Sequence, residues 1–148
     1  VFDGADLRAL ETIRGFNLTA LSAKAAVFYG LDMEGVQMQG AQLEGADLRG
    51  CNLRRADLRG ARLIGAKLSG ADLRDAQMGP LLIGGDRVLP CNMTGAVLKN
   101  ADLARADLRQ AIMVDADVSR ANFTSAMLKQ ANFSGAIRQG ARGLEEAI

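Results

Sequence analysis

Residues 41–75 read AQLEG ADLRG CNLRR ADLRG ARLIG AKLSG ADLRD, which are seven units of five residues without an insertion. Leucine stands at the centre of every unit, and alanine or cysteine opens each one. The residues on either side of each leucine are polar or charged, with Ile64 as the exception. A five-residue repeat therefore decides how this chain folds.

This period excludes the two commonest regular structures. An α-helix repeats every 3.6 residues, so leucines spaced by five would wind around it, and each interior glycine would cost about 1 kcal/mol. A long strand alternates with period two, so successive units would face opposite sides. A short extended segment followed by a corner fits the pattern, with the small residue and the leucine pointing inward. Each pentad is then one edge of a coil.

The units ADL at residues 46–48, 56–58, 71–73 and 101–103 resemble the pentapeptide-repeat proteins, whose unit is A(D/N)LXX. The resemblance implies an all-β fold, a right-handed, four-sided β-helix with four pentads per coil. For this length we expect roughly six to seven coils, stacked as a solenoid with a capping structure at each end. The two residues after each central residue then form the corners.

We expect one domain over residues 1–148, divided into five segments. Residues 1–15 form an irregular N-terminal coil or cap, 16–78 a first array, 79–90 a loop, 91–138 a second array, and 139–148 a cap with a short C-terminal helix. Leu7 and Leu18 are eleven residues apart instead of ten, so one residue is inserted between them. The insertion is either a bulged edge or a short helical turn, and we favour the bulge.

Residues 79–90, GPLLIGGDRVLP, interrupt the repeat but preserve its phase, because Met78 and Met93 are fifteen residues apart. They form either two degenerate pentads or an extruded loop of about ten residues. Two pentads would bury Asp86 without a partner, which is costly. A loop gives the prolines and glycines their usual turn roles, so we favour the loop. Its apolar residues should fold back on a face or meet a partner.

Two further expectations concern the corners and the cysteines. Glycine holds the second corner position in most of the first array, whereas larger residues hold it in the second array: Asn100, Arg105, Gln110, Asp115, Arg120, Ser125 and Gln130. Because positive φ favours glycine, we expect negative φ at these seven corners. Cys51 and Cys91 occupy the small inward position and are expected to be buried, reduced and unpaired.

The composition contains few side chains suited to catalysis or metal binding. The chain has no histidine, and its carboxylates flank the central residues, so we expect no enzyme activity, metal site or cofactor. Eighteen basic residues stand against 17 acidic ones, and Asp and Arg in each ADLR unit project from the same edge. A self-neutralised, solvated face is favoured over a phosphate-binding one, so a nucleic-acid partner is not expected. Without a long apolar run, no membrane partner is expected and the predicted location is cytoplasmic.

The sequence predicts a non-catalytic protein–protein interaction or scaffolding domain with an unidentified protein partner. The candidate interaction patch consists of Ile64, Leu82, Ile83, Val88, Ile112 and Val114. If about ten residues leave the coil after Met78, Ile64, Thr94 and Val114 form one outward column close to Ile112 and to the base of the loop.

The resemblance also implies an alternative function. Some pentapeptide-repeat proteins resemble B-form DNA, bind DNA gyrase or topoisomerase IV, and protect it from quinolones. That subgroup has a strongly acidic surface, projecting loops and a C-terminal dimerising helix. This chain has a predicted loop and C-terminal helix, so a homodimer through the C-terminal end is conceivable, but its net charge of +1 does not imitate phosphates.

Overall fold

Parallel bridges join residues twenty apart along the chain, such as Gln42 to Arg62 and Asp47 to Lys67, in a computed structural model that describes residues 1–145. Twenty residues are four pentads, so each coil has four edges. Each edge meets the next coil through a single bridging residue, with hydrogen bonds on both sides of it. The fold is a β-helix solenoid, as the repeat predicts.

Apart from the corners after Leu7 and Met78, each corner between residues 3 and 140 is a two-residue turn closed by one backbone hydrogen bond, as where Ala46 N–H donates to Leu43 O at 3.0 Å. The second corner residue has φ near +60°, which defines a type II turn. This holds for Gly45 at 67° and equally for the seven non-glycine corners of the second array, whose φ lies between 56° and 63°. The expectation of negative φ is therefore wrong. The next coil fixes the conformation, because Arg105 N–H, for example, donates to Thr124 O at 3.0 Å.

The core is a column of small and central residues. From Ala41 to Phe123 all inward residues of the coil are buried, whether alanine, cysteine, leucine, methionine or valine. Near the C-terminal end the rings of Phe123 and Phe133 meet edge to face, with centroids 5.8 Å apart. Because each unit packs mainly on the coils above and below it, the column grows by stacking.

A 3₁₀ helix at Arg8–Leu10 takes up the inserted residue of the first coil. Asp6 bridges Val27, twenty-one residues away, whereas Thr12 bridges Asp32, twenty residues away. The register therefore changes between these two bridges. The favoured bulge is wrong, because a helical turn absorbs the insertion and Glu11, at φ 62°, ends it by donating to Arg8 O.

The coil continues past the predicted end of the second array. Asn122 bridges Arg142, and Leu144 is buried, so residues 139 and 140 form a corner and residues 141 and 142 begin a further edge of the coil. The predicted C-terminal helix falls partly on residues 146–148, which lie outside the described residues. Residues 1–145 contain no α-helix.

Residues 79–90 leave the coil as a β-hairpin. Strand β1 (Leu81–Gly84) pairs antiparallel with strand β2 (Arg87–Leu89), and Gly85 and Asp86 form the turn between them. The bridge separation is twenty at Asp57 and Gln77 but thirty at Arg62 and Asn92. Ten residues are thus outside the coil, and the ladder closes across their base.

Corner strain is testable at Gly95, where φ is +67° and an added Cβ would meet nothing within 4 Å. Replacing Gly95 by Ala should lower the free energy of unfolding by about 1 kcal/mol, because the left-handed backbone alone is strained. Ser125→Gly, at φ 61°, is the matched control and should be neutral or stabilising. Urea unfolding measures both; equal losses in the two variants would contradict a shared positive φ.

The ladder of bridges closes beneath the hairpin, which predicts that the coil folds without the hairpin. Replacing residues 79–90 by Arg-Gly, the pair found at Arg59 and Gly60, restores the spacing of twenty residues. We expect the variant to unfold cooperatively with an unchanged far-ultraviolet circular dichroism spectrum per coil residue. A replacement by Arg-Gly-Ser, which breaks the phase, is the control and should be strongly destabilised. Equal stability of the two variants would contradict a register set by the ladder.

Candidate interaction surface

One face of the hairpin is docked on the coil. Leu81 and Leu89 lie opposite each other across the hairpin. A Cβ built on Gly60 would lie 2.9 Å from Leu81 Cβ and 3.2 Å from Leu89 Cδ2, and one on Gly40 would lie 3.8 Å from Leu81 Cδ2. The corners of Gly40 and Gly60 are stacked on the N-terminal side of the corner at Met78 from which the hairpin emerges. The two leucines pack against the Gly60 corner because Gly60 has no side chain, and any side chain at residue 60 would displace them.

The other face of the hairpin is displayed. Leu82 and Val88 form the next cross-strand pair, and side chains alternate along a strand, so this pair points away from the docked face. Leu82 is 75% exposed, Val88 39% and Ile83 44%. All three apolar side chains are exposed on the hairpin, and Leu82 and Val88 share its displayed face.

The predicted column on the coil lies at the next corner along the chain. Gly65 N–H donates to Thr94 O and Gly95 N–H to Val114 O, so Ile64, Thr94 and Val114 stack in one line. All three are half-buried. The edge that carries Arg62, Asn92 and Ile112 separates this column from the hairpin corner.

The candidate patch therefore has two parts. Ile64, Ile112 and Val114 lie on one side of the coil, whereas Leu82, Ile83 and Val88 lie on the hairpin, whose docked leucines face Gly60 and Gly40 instead. That the six residues act together stays a prediction. The sequence predicted that apolar residues of the loop fold back on a face or meet a partner, but it did not single out Leu81 and Leu89 as the docked pair.

An Asp or Asn that precedes a central residue has a structural role at the corner. Asp47 Oδ1 accepts a hydrogen bond from Arg49 N–H at 3.2 Å, and Asn52 Oδ1 accepts one from Arg54 N–H at 3.2 Å. The ladder bonds the N–H of the second corner residue but not of the first, which this oxygen satisfies. The same bond recurs at Asp6, Asn17, Asp32, Asp57, Asp72, Asn92, Asp102, Asp107, Asp117, Asn122 and Asn132.

The arginine of an ADLR unit folds back over this aspartate. Arg49 Nε and Nη2 donate to Asp47 Oδ1 and Oδ2 at 2.8 and 2.7 Å. The same fork joins Asp57 to Arg59, Asp72 to Arg74 and Asp107 to Arg109. Hydrogen bonds from the arginines hold the pKa of Asp47, Asp72 and Asp107 below the usual range. The predicted pairing of Asp and Arg within these units is confirmed.

The two partners of these pairs are not equally exposed. The Asp107 side chain is 15% exposed and that of Arg109 is 53%, because the aspartate lies flat on the corner and the longer side chain covers it. In all but one of the ion pairs within residues 1–145 the basic side chain is the more exposed partner. The charge that a partner meets at these pairs is therefore mainly positive.

The thiols lie in the core. Cys51 and Cys91 are both free, as predicted, and burial raises the pKa of each thiol to about 12. Cys51 Sγ donates to Phe28 O at 2.9 Å. Neither thiol is thus available as a thiolate nucleophile at neutral pH. Residues 1–145 contain no group of three His, Cys, Asp or Glu side chains placed to hold a metal ion, and no helix long and apolar enough to cross a membrane.

The family described as pentapeptide repeats matches residues 37–75, 91–126 and 101–137, with eight copies of the unit. These ranges cover more than half of the chain. The chain belongs to the pentapeptide-repeat family. A comparison with curated proteins found no match.

Two solved structures of pentapeptide-repeat proteins are similar to this chain. HetL, involved in heterocyst differentiation regulation in the cyanobacterium Nostoc sp. strain PCC 7120, is 32% identical with a TM-score of 0.54; the match covers 90% of this chain and 64% of HetL. A trypsin-treated variant of QnrB1, a plasmid-mediated fluoroquinolone resistance protein, is 18% identical with a TM-score of 0.58, covering 93% of this chain and 71% of QnrB1. The second likeness concerns the fold alone.

The turn role and the charge role of an aspartate can be separated at Asp47. Asp47→Ala removes both and should lower the free energy of unfolding by about 1 to 2 kcal/mol. Asp47→Asn keeps the acceptor for Arg49 N–H, as Asn52 does for Arg54, and should cost about 0 to 1 kcal/mol. Urea unfolding at neutral pH measures the difference.

The pH dependence provides a second readout of the same variants. A carboxyl with a depressed folded-state pKa stabilises the fold above its unfolded pKa of about 3.9, and this contribution is lost as pH falls through the folded value. The wild type should therefore lose more stability than Asp47→Asn between neutral pH and pH values below about 3.9. An identical loss in both would show that the Asp47 carboxylate contributes nothing through Arg49.

Proposed function

We propose that this chain is a non-catalytic protein-interaction domain and that the hairpin is the centre of its contact surface. The displayed pair Leu82 and Val88 carries the proposal. Burying one such side chain completely is worth about 1.5 to 3 kcal/mol, yet the coil covers only the other pair, Leu81 and Leu89. An apolar pair held away from the core by a docked base is suited to insertion into a partner.

The state of the carboxylates and thiols, the side chains that could act as bases or nucleophiles, supports a non-catalytic role. Aspartates within the ADLR units are engaged by corner N–H groups and by arginines, and the two thiols are buried and protonated. An acid–base catalyst needs a group with a free lone pair and a titration near neutral pH. The exposed surfaces of the coil offer hydrogen-bonding and apolar contacts instead.

The DNA-mimic alternative is less well supported. Imitation of a phosphate backbone needs exposed negative charge, whereas Asp47, Asp57 and Asp107 lie beneath their arginines. The likeness to QnrB1 at 18% identity concerns the shared solenoid. We also propose that the coil is right-handed with about six to seven turns, that the protein acts in the cytoplasm, and that any homodimer forms through the C-terminal end.

Substitutions on the two parts of the patch test the proposal. The variant Leu82→Ser, Val88→Thr changes only the displayed face of the hairpin, and the variant Ile64→Lys, Val114→Lys changes only the column on the coil. We expect both to lose a partner captured by the wild type, or to lose self-association in light scattering, at unchanged melting temperature. Hydrophobic burial at the contact is the physical reason.

Val97→Lys is the matched control, since Val97 is a half-buried outward valine on a different edge and should not affect binding. A lower melting temperature without loss of partner would show that the patch residues only cover the coil within the molecule. Loss of the partner in the coil variant but not in the hairpin variant would remove the hairpin from the contact surface.

A further inference from the structure

The edge that ends at the hairpin corner carries a line of basic side chains. Asp57, Gln77, Asp107 and Met127 bridge one another in register along this edge. The first corner residues that follow on the same line include Arg59, Arg109 and Lys129. Adjacent coils are about 4.8 Å apart, so the three cations lie within about 15 Å along the coil axis.

The acids of this edge lie below its surface. Asp57 has an 11% exposed side chain under Arg59, and Asp107 is held in the same way under Arg109. Each aspartate uses one oxygen for the corner N–H, which ties it to the backbone. The guanidinium of Arg109 uses Nε and Nη2 for Asp107 and the side chain is 53% exposed, which leaves Nη1 for another acceptor.

A cavity joins two of these cations, Arg109 and Lys129, to the base of the hairpin. It has a volume of about 210 Å³ and is lined by Pro80, Arg109, Gln110, Lys129 and Gln130. The hairpin rests on Gly60 and Gly40, towards the N-terminal end, so this cavity lies on its opposite, uncovered side. Gln110 and Gln130 add amide groups at corners where glycine would leave the floor bare.

We propose that this surface binds an acidic protein segment that also carries apolar side chains. The inference rests on the proposed interaction function and specifies the chemistry of the partner. Carboxylates of the segment bind Arg109 Nη1 and Lys129 in the cavity, while its apolar side chains pack on Leu82 and Val88. Complementary charge sets the register and the apolar pair supplies the buried area.

A nucleic acid fits this surface less well. A phosphate backbone would bind through the cations Arg109 and Lys129 alone. The displayed Leu82 and Val88 have no complement on a phosphodiester chain. A carboxylate-bearing peptide uses both the cations and the apolar pair.

The test uses a short fluorescent peptide in which Glu and Leu alternate, a twin in which Lys replaces Glu, and a DNA duplex of matched charge. Anisotropy at low and at physiological ionic strength measures binding to the whole protein. We expect saturable binding of the Glu–Leu peptide that weakens with added salt. The variant Arg109→Gln, Lys129→Gln should bind it about tenfold more weakly, and Leu82→Ser should also weaken it.

Arg49→Gln is the matched control, because Arg49 forms the same fork with Asp47 on another edge and should change binding by less than about twofold. Melting temperatures verify that every variant folds. Absent binding of the Glu–Leu peptide, equal binding of its Lys twin, preferential binding of DNA, or equal losses in Arg49→Gln would each overturn the inferred chemistry. If a cellular partner still depends on Leu82 and Val88 in those cases, the interaction function stands and only the acidic character of the partner is wrong.

Discussion

The structure depends on one constraint, the corner closed after every central residue with φ near +60° at its second position. It turns the chain after each short edge, so that four corners bring residue i over residue i + 20. Once this register exists, the N–H of each second corner residue bonds to the next coil and holds even arginine and glutamine in a backbone conformation that costs them about 1 kcal/mol each. Local strain is thus offset by a bond that only the stacked coil supplies.

The same corner explains the surface charge. Its first residue has an N–H that the ladder does not use, and a short side chain with an acceptor oxygen one position before the central residue satisfies it. Asp and Asn meet this need equally, but Asp also attracts an arginine two residues later. The arginine then lies above the acid, so a requirement of the backbone determines which sign of charge reaches solvent.

Much of the fold follows from the sequence because period five has few structural solutions. The edges, the buried column and the unpaired cysteines were predictable from residue spacing and size. The seven corner dihedrals were predicted wrongly, because glycine preference describes an isolated turn and the ladder overrides it. The helical turn at Arg8–Leu10 was the alternative that the sequence did not favour, since a bulge and a 3₁₀ turn absorb the same single residue. The docked leucines of the hairpin depend on its tilt towards Gly60, which no local pattern encodes.

Net charge is a poor guide to what such a coil presents to a partner. With 18 basic and 17 acidic residues the chain is nearly neutral, and these counts alone suggest a surface with no predominant charge. Exposure changes that conclusion, because an aspartate tied to a corner N–H is screened by its own arginine while the arginine meets solvent. Placing Asn instead of Asp before the central residue keeps the corner bond and removes the buried acid. The choice between these two residues in each pentad therefore adjusts the surface potential edge by edge without changing the fold.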